Sequence, residues 1–305
     1  MSTKQAASVT TDFRPPRVSV ICIFFNAEQF FAEAIDSVLA QDCDDFELIL
    51  VDDGSTDSST ELAKDYASRE PLRVRYVEHP GHSNRGMGAA RNLGLRAARG
   101  ELVALIDADD RWRTAKLRDQ IAFLDEFPNV DAVCGTANYW WSWNGGKDKL
   151  QKTGYIQDRP LEPPTCAFEL YPFGQAVPPC PSDLMLRRSI IDKVGGFEES
   201  FTGGFEDQAF LGKFYLEGTI YCADRNWIDY RVHDNGCGER IRREGRYHER
   251  RRFFLEWYLD YLDRSRNPHA AAVRKLVLQA LFSYRHPHLS RVVQPFIRVV
   301  RKLVA

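Results

Sequence analysis

"ELVALIDADDRW" (residues 101–112) is the stretch whose reading decides the fold. Five apolar residues, Leu102 to Ile106, run straight into three aspartates in four positions: Asp107, Asp109 and Asp110. A short continuous apolar run fits a strand covered on both faces, as in a parallel sheet. Sheets of that kind place ligands beyond the carboxyl ends of their strands. Carboxylates this close repel one another, and desolvating them is costly without a positive partner. Two carboxylates one residue apart can grip Mg²⁺ or Mn²⁺, and magnesium completes its shell with water and substrate phosphate oxygens. For Asp-x-Asp taken alone, a solvated acidic turn is the competing reading.

The flanking sequence repeats the same strand pattern. "VSVICIFFN" (18–26) is an apolar run but for Ser19 and the closing Asn26, and "FELILVDDGSTD" (46–57) is a second strand ending in an acidic turn. "LRVRYVEH" (72–79) is a third strand. Between them lie segments with helical spacing: "AEQFFAEAIDSVLAQ" (27–41), "SSTELAKDYASRE" (58–70), its serines and threonine suited to capping, and "GMGAARNLGLRAARG" (86–100), closed by Gly100. Strand and helix in alternation predict an α/β fold with parallel pairing and right-handed crossovers.

Regularity loosens beyond Trp112. "VDAVCGTANYWWSWNGGKDKLQ" (130–151) predicts a strand pair turning at Asn144–Gly145, with Tyr139, Trp141 and Trp143 on one face. Those aromatics either pack on a core or offer a sugar platform. Residues 159–183 are proline-rich and irregular. Residues 184–218 hold a short strand, a helix, a glycine-rich loop and a second helix; 219–236 read as two short strands. From about residue 245 the chain is helical.

The 305 residues suffice for one large domain or two modest ones, and no apolar run is long enough to span a membrane. Residues 1–16 lack the apolar stretch of a secretory signal and read as a flexible tail. Seven cysteines without a Cys-x-x-Cys pair argue against the usual zinc sites and suit a reducing cytoplasm. The net charge of −2 hides an asymmetry: sixteen Lys/Arg against six Asp/Glu from Glu239 onward give +10 there and leave −12 elsewhere. The basic part either docks on the acidic body or is drawn to phosphate or anionic lipid. The amphipathic "LSRVVQPFIRVVRKLVA" (289–305) is the candidate for peripheral membrane contact, with docking on the body as its alternative. Nothing in the pattern calls for nucleic acid.

Together, "VSVICIFFN", "LILVDDGSTD", "ARNLGLRAARGELVALIDADDRW", "VGGF" (194–197), "FEDQAF" (205–210) and "YRVH" (230–233) resemble family 2 glycosyltransferases, in order and spacing, over residues 17–235. The resemblance implies a glycosyltransferase-A fold and an inverting, metal-dependent transfer from a nucleotide-diphosphate sugar, UDP-linked by preference, to a glycan or lipid-linked glycan. It implies a catalytic domain at 17–238, with a nucleotide half (17–112) and an acceptor half (113–238), followed by a basic lid and helices (239–305). Asp53 matches the residue that reads the base, while Asp52 caps the turn. Phe25, Asn26 and Glu28 fall where the nucleotide pocket is lined, although "IFFN" departs there from the family's usual Pro-Thr-Tyr-Asn run. Arg91 matches a donor-side residue, its alternative being a helix-surface ion pair. Asp107 corresponds to the ribose contact, and Asp109 with His233 to the metal site. Asp110 either joins them or caps the next helix, and Trp112 packs in the core. Asp207 corresponds to the general base, with Glu206 orienting it or touching acceptor and Gly203–Gly204 giving the loop freedom. Arg240, Arg242 or Arg243 neutralises the diphosphate.

Two rivals are weaker on the residues. A sugar-nucleotide nucleotidyltransferase wants a glycine-rich basic loop after the first strand, and "FFNAEQFF" has none. A non-catalytic nucleotide- or glycan-binding protein has no need of Asp109, Asp207 and His233 together.

Overall fold

The structure is a computed structural model that describes residues 14–155 and 157–288. The amphipathic 289–305 segment and most of the N-terminal tail lie outside the described residues. No described helix is long and apolar enough to cross a membrane.

The first half alternates as its sequence predicts: β1 (Val18–Phe24), α1 (Phe31–Leu39), β2 (Phe46–Asp52), α2 (Ser59–Arg69), β3 (Val74–Glu78), α3 (Met87–Ala97), β4 (Leu102–Asp107). Then come β5 (Arg111–Trp112), α4 (Lys116–Glu126), β6 (Ala132–Trp140), β7 (Lys149–Gln151), β8 (Pro160–Leu161), α5 (Thr165–Glu169), β9 (Met185–Arg187), α6 (Arg188–Val194), α7 (Glu206–Glu217), β10 (Ile220–Arg231), α8 (Cys237–Arg243), α9 (Tyr247–Arg264) and α10 (Ala270–Arg285). All ten strands form one sheet in the order β3-β2-β1-β4-β9-β6-β10-β5, with β7 on β6 and β8 on β10. β3, β2, β1 and β4 are mutually parallel, and β9 runs against both β4 and β6.

Register brings the site together. Phe24 pairs with Asp52, and Ile23 with Asp107, so the two acidic turns leave the same edge of the sheet side by side. Period-two alternation then divides the core. Ile21, Ile23, Val51 and Leu105 face a cluster built with α5, α6 and α7; Val20, Cys22, Leu50 and Ile106 face one built with α1, α2 and α4. Phe254, Tyr258, Val273 and Val277 of α9 and α10 belong to the first cluster. Tyr258 is fully buried, and its hydroxyl donates to the Gly212 carbonyl at 2.7 Å. The helices after residue 245 thus share the core of the sheet.

Four local expectations are corrected. Residues 220–231 form one strand, not two, because a bulge between Cys222 and Ile228 is absorbed within it. Asn226 Nδ2 replaces ladder bonds there by donating to the Thr136 and Ile228 carbonyls, at 3.0 and 3.1 Å. A side chain on Gly135 would lie 2.3 Å from the Arg225 carbonyl oxygen, so the bulge needs glycine on the neighbouring strand. The first turn of α2 is capped by Asp57, which accepts from the Ser59 amide at 3.0 Å, and not by a hydroxyl. Gly100 does not end α3; it lets the chain pass against β1, where a Cβ would meet the Ser19 nitrogen at 2.6 Å. Finally, the "YWWSW" alternation stops at Trp140. The chain leaves β6 in a 3₁₀ turn at Ser142–Asn144, wrapped around Asp148, which accepts from the Trp141 and Ser142 amides at 2.9 and 2.7 Å.

Candidate active site

The acidic end of β4 has protein cations as partners. Arg91, on α3 and 3% exposed, donates to Asp107 at 2.8 Å and to Glu206 at 2.7 Å. It is a buried strut between the two halves of the site, not a helix-surface ion pair. Burial raises the pKa of Asp107 and Arg91 works against that rise. Asp110 is buried and accepts from the Arg231 backbone amide at 2.8 Å and from the Ser182 hydroxyl. Burial, then Asp109 and Asp107, push its pKa well up. It ties β4 to β10 and does not cap α4, which begins six residues later. Trp112 is core, its indole donating to the Ser182 carbonyl at 2.7 Å.

Asp109 stands apart. Its carboxylate is within 2.9 Å of His233 Nε2, with side chains 35% and 13% exposed. One carboxylate oxygen and one imidazole nitrogen are a donor pair suited to Mn²⁺ and, less well, to Mg²⁺. Without an ion the two atoms share a hydrogen bond, and the pair is partly open to solvent. This pair can hold the divalent ion that the motif implies.

Behind it lies Arg231, which sequence reading left unassigned although it sits in "YRVH". Its guanidinium is stacked 4.2 Å from the Trp140 ring, 4.4 Å from Phe30 and 5.3 Å from Trp143. It donates to the Asp109 carbonyl at 2.7 Å and pairs with Glu33 of α1. Trp140 carries Arg111 on it as well, at 4.0 Å. Trp140 and Trp143, therefore, are the tryptophans that reach the site. The available signal was the spacing of Arg231 and His233, two apart at a strand end; the partners on α1 and β6 had none.

After β1, Phe25 is 47% exposed. Asn26, at φ 50°, accepts from the Thr56 amide at 2.7 Å, and Glu28 accepts from the Ser58 hydroxyl at 2.7 Å. Both clip the loop after β1 to the loop after β2. Asp52 caps its turn as expected, accepting from the Ser55 amide at 2.8 Å. Asp53 is 5% exposed; its two oxygens accept the Arg85 and Gly86 amides at 2.7 and 2.9 Å. Burial raises its pKa against those bonds.

Across the site lies the start of α7. Phe205 precedes it at φ 70°, after Gly203 and Gly204 at φ 83° and 106°. Three successive left-handed residues are strained or glycine-only backbone of the kind found at functional sites. Glu206 turns inward to Arg91; its second oxygen is buried without a hydrogen-bond partner, and burial pushes its pKa to about 7. Asp207 is half-buried and, among the described residues, hydrogen-bonds with Gln208, whose amide it accepts at 2.7 Å. Among the described residues no cation pairs with it. On α8, Arg242 pairs with Glu239 and Arg243 donates to the Asp234 carbonyl at 2.9 Å, while Arg240 is exposed.

The family model for glycosyl transferase family 2 matches residues 19–195. The chain belongs to glycosyltransferase family 2. An uncharacterized glycosyltransferase of Nostoc sp. is 30% identical to this family member over 217 residues, 71% of the chain and 65% of the relative, so the chain spans less than two thirds of that relative's length. Among solved structures, S. aureus TarS 1–349 in complex with UDP-GlcNAc superposes with a TM-score of 0.66 at 24% identity, over 88% of this chain and 73% of that one. A mannosyltransferase from Pyrobaculum calidifontis in complex with GDP-Man and Mn²⁺ gives 0.55 at 20% identity, over 94% and 81%. The fold of this family member is the glycosyltransferase-A type.

Proposed function

We propose that the protein is an inverting glycosyltransferase that moves a sugar from a nucleotide-diphosphate donor, a UDP-sugar, to a hydroxyl of a glycan or lipid-linked glycan. The observation that carries the reading is the division of labour among the acids. Asp107 and Glu206 share Arg91, Asp110 is locked to β10, and Asp109 faces His233. Among the described residues Asp207 pairs with no cation and hydrogen-bonds with its neighbour Gln208, at the start of a helix next to a glycine-rich loop.

In this reading Asp207 is the general base. The acceptor oxygen forms a bond to the anomeric carbon on one face as the bond to the diphosphate oxygen breaks on the other. The acceptor proton goes to the Asp207 carboxylate, and the bonding pair leaves with the diphosphate. One displacement inverts the centre. Asp53 and the Asn26–Glu28 segment line the base side, Asp107 faces the ribose, and Arg240, the α8 arginine whose side chain has no hydrogen bond or ion pair among the described residues, can approach the diphosphate. Asp109 and His233 hold Mn²⁺ or Mg²⁺, which when bound neutralises diphosphate charge. The neighbours in complex with nucleotide sugars support the donor class.

The test is Asp207→Asn. Calorimetry with UDP and Mn²⁺ is expected to match wild type, while transfer falls by about 10²–10⁴. Lost UDP binding with intact transfer would overturn the assignment.

A further inference from the structure

The loop that delivers the Arg85 and Gly86 amides to Asp53 is fastened by His82. This residue sits at φ 50°, its Nδ1 is 2.7 Å from the Glu78 carboxylate, and its Nε2 is 2.7 Å from the Ser55 carbonyl oxygen. A carbonyl oxygen can only accept, and so can an ionised carboxylate. Both ring nitrogens must then carry hydrogen, which only the imidazolium allows. The neutral ring satisfies one partner and sets a lone pair against the other.

We propose that His82 is a positioning residue for the donor pocket: its imidazolium clasps the 79–86 loop onto the turn after β2, keeps Asp53 in place for the nucleotide base, and releases it on losing its proton. This rests on the donor reading above. The loop lies directly on the turn, since a Cβ on Gly54 would be 2.7 Å from the Asn84 nitrogen and 2.9 Å from the His82 carbonyl oxygen. Asp53, in turn, has the two loop amides as hydrogen-bond donors.

The surrounding charges favour the cation. From β3 come Glu78 and Tyr76, whose hydroxyl donates to Glu78 at 2.6 Å and to Asp52 at 3.2 Å. Asp52 faces His82 from the end of β2, and Lys64 of α2 lies over the Tyr76 ring at 4.9 Å. The Ser55 carbonyl and Glu78 hold the His82 ring above its ordinary range. In the same loop, His79 is buried 3.7 Å from Asp53, and burial lowers its pKa, so it stays neutral where His82 titrates. Asp52, Glu78 and His82 bring their ligand atoms within 4.8 Å of one another, but all three already hydrogen-bond as described.

The experiment is a calorimetric titration of UDP with Mn²⁺ into wild type and His82→Gln across about pH 6 to 9. Glutamine keeps one donor and has no charge, and the pH dependence of UDP and Mn²⁺ themselves is common to both proteins. At low pH wild type is expected to bind about three- to tenfold more tightly than the variant, and the gap to close as His82 deprotonates. A ratio that stays constant with pH overturns the proposal. In parallel, NMR of the His82 ring is expected to show a doubly protonated imidazole titrating above the free value, with Arg85 and Gly86 amide exchange quickening as it does. If neither protein binds UDP, the donor reading fails, and the ring and amide data still decide the clasp. A ring that titrates at or below the free value, or that responds to Mn²⁺ alone as to a ligand, overturns it.

Discussion

The guanidinium of Arg91 reaches the carboxylate of Glu206 at 2.7 Å across 115 residues of chain, and both side chains are buried. The other arm of Arg91 holds Asp107. One side chain thereby ties the end of β4 to the start of α7. Arg91→Met leaves the buried Glu206 and the half-buried Asp107 without their cation. It is expected to destabilise the protein by about 3–5 kcal/mol, measured by urea denaturation. Arg91→Lys, with no planar fork, recovers one partner only and is expected to fall between the two.

Glu206 links stability to pH. Its pKa, about 7, lies above the ordinary 4.5, so between those values the folded state keeps a proton that the unfolded chain has released. Stability from this group is complete below the ordinary value and is lost as pH rises through the folded one. Glu206→Gln is expected to flatten the urea midpoint against pH over that interval. The flattening is partial, because Asp183, buried beside Lys116 with a pKa of about 6, slopes the same way.

The Asp109–His233 pair predicts different losses for different ions. Asp109→Asn removes the hard anionic ligand and is expected to weaken Mn²⁺-dependent and Mg²⁺-dependent UDP binding alike, by about tenfold or more. His233→Asn is expected to hurt Mn²⁺ more than Mg²⁺, since imidazole suits manganese better. Calorimetry with each ion, and in excess chelator, separates the two patterns.

Gly204 predicts how α8 seats on the glycine-rich loop before α7. A Cβ there would lie 2.5 Å from Ile241 Cδ1, on a backbone at φ 106°. Gly204→Ala is expected to cost about 1–3 kcal/mol and to push α8 outward. Hydrogen exchange around Ile241 is expected to quicken, and acceptor KM to rise more than donor KM.

Much of this was legible from residue order. Apolar runs alternating with helical spacing determined the parallel half of the sheet, because strand and helix periods are local properties. The same runs put Asp53, Asp107 and Asp109 at strand ends, where open sheets receive ligands. Beyond Trp112 the local signal weakened, since a bulged strand such as β10 and a turn wound on Asp148 depend on partners far along the chain. Tertiary structure alone decided which acids are neutralised and which is left free. Arg91 could be placed on a helix from its neighbours, but not between Asp107 and Glu206. Asp110 is spent on β10, and Arg231 owes its place to the Phe30 ring just before α1 and to Trp140 and Trp143 at and beyond the end of β6. Among the described residues Asp207 pairs with no cation, since Arg91 faces Glu206 and Asp107 instead. Charge pairing acts through space over a few ångströms, so it belongs to the folded arrangement and not to the order of residues.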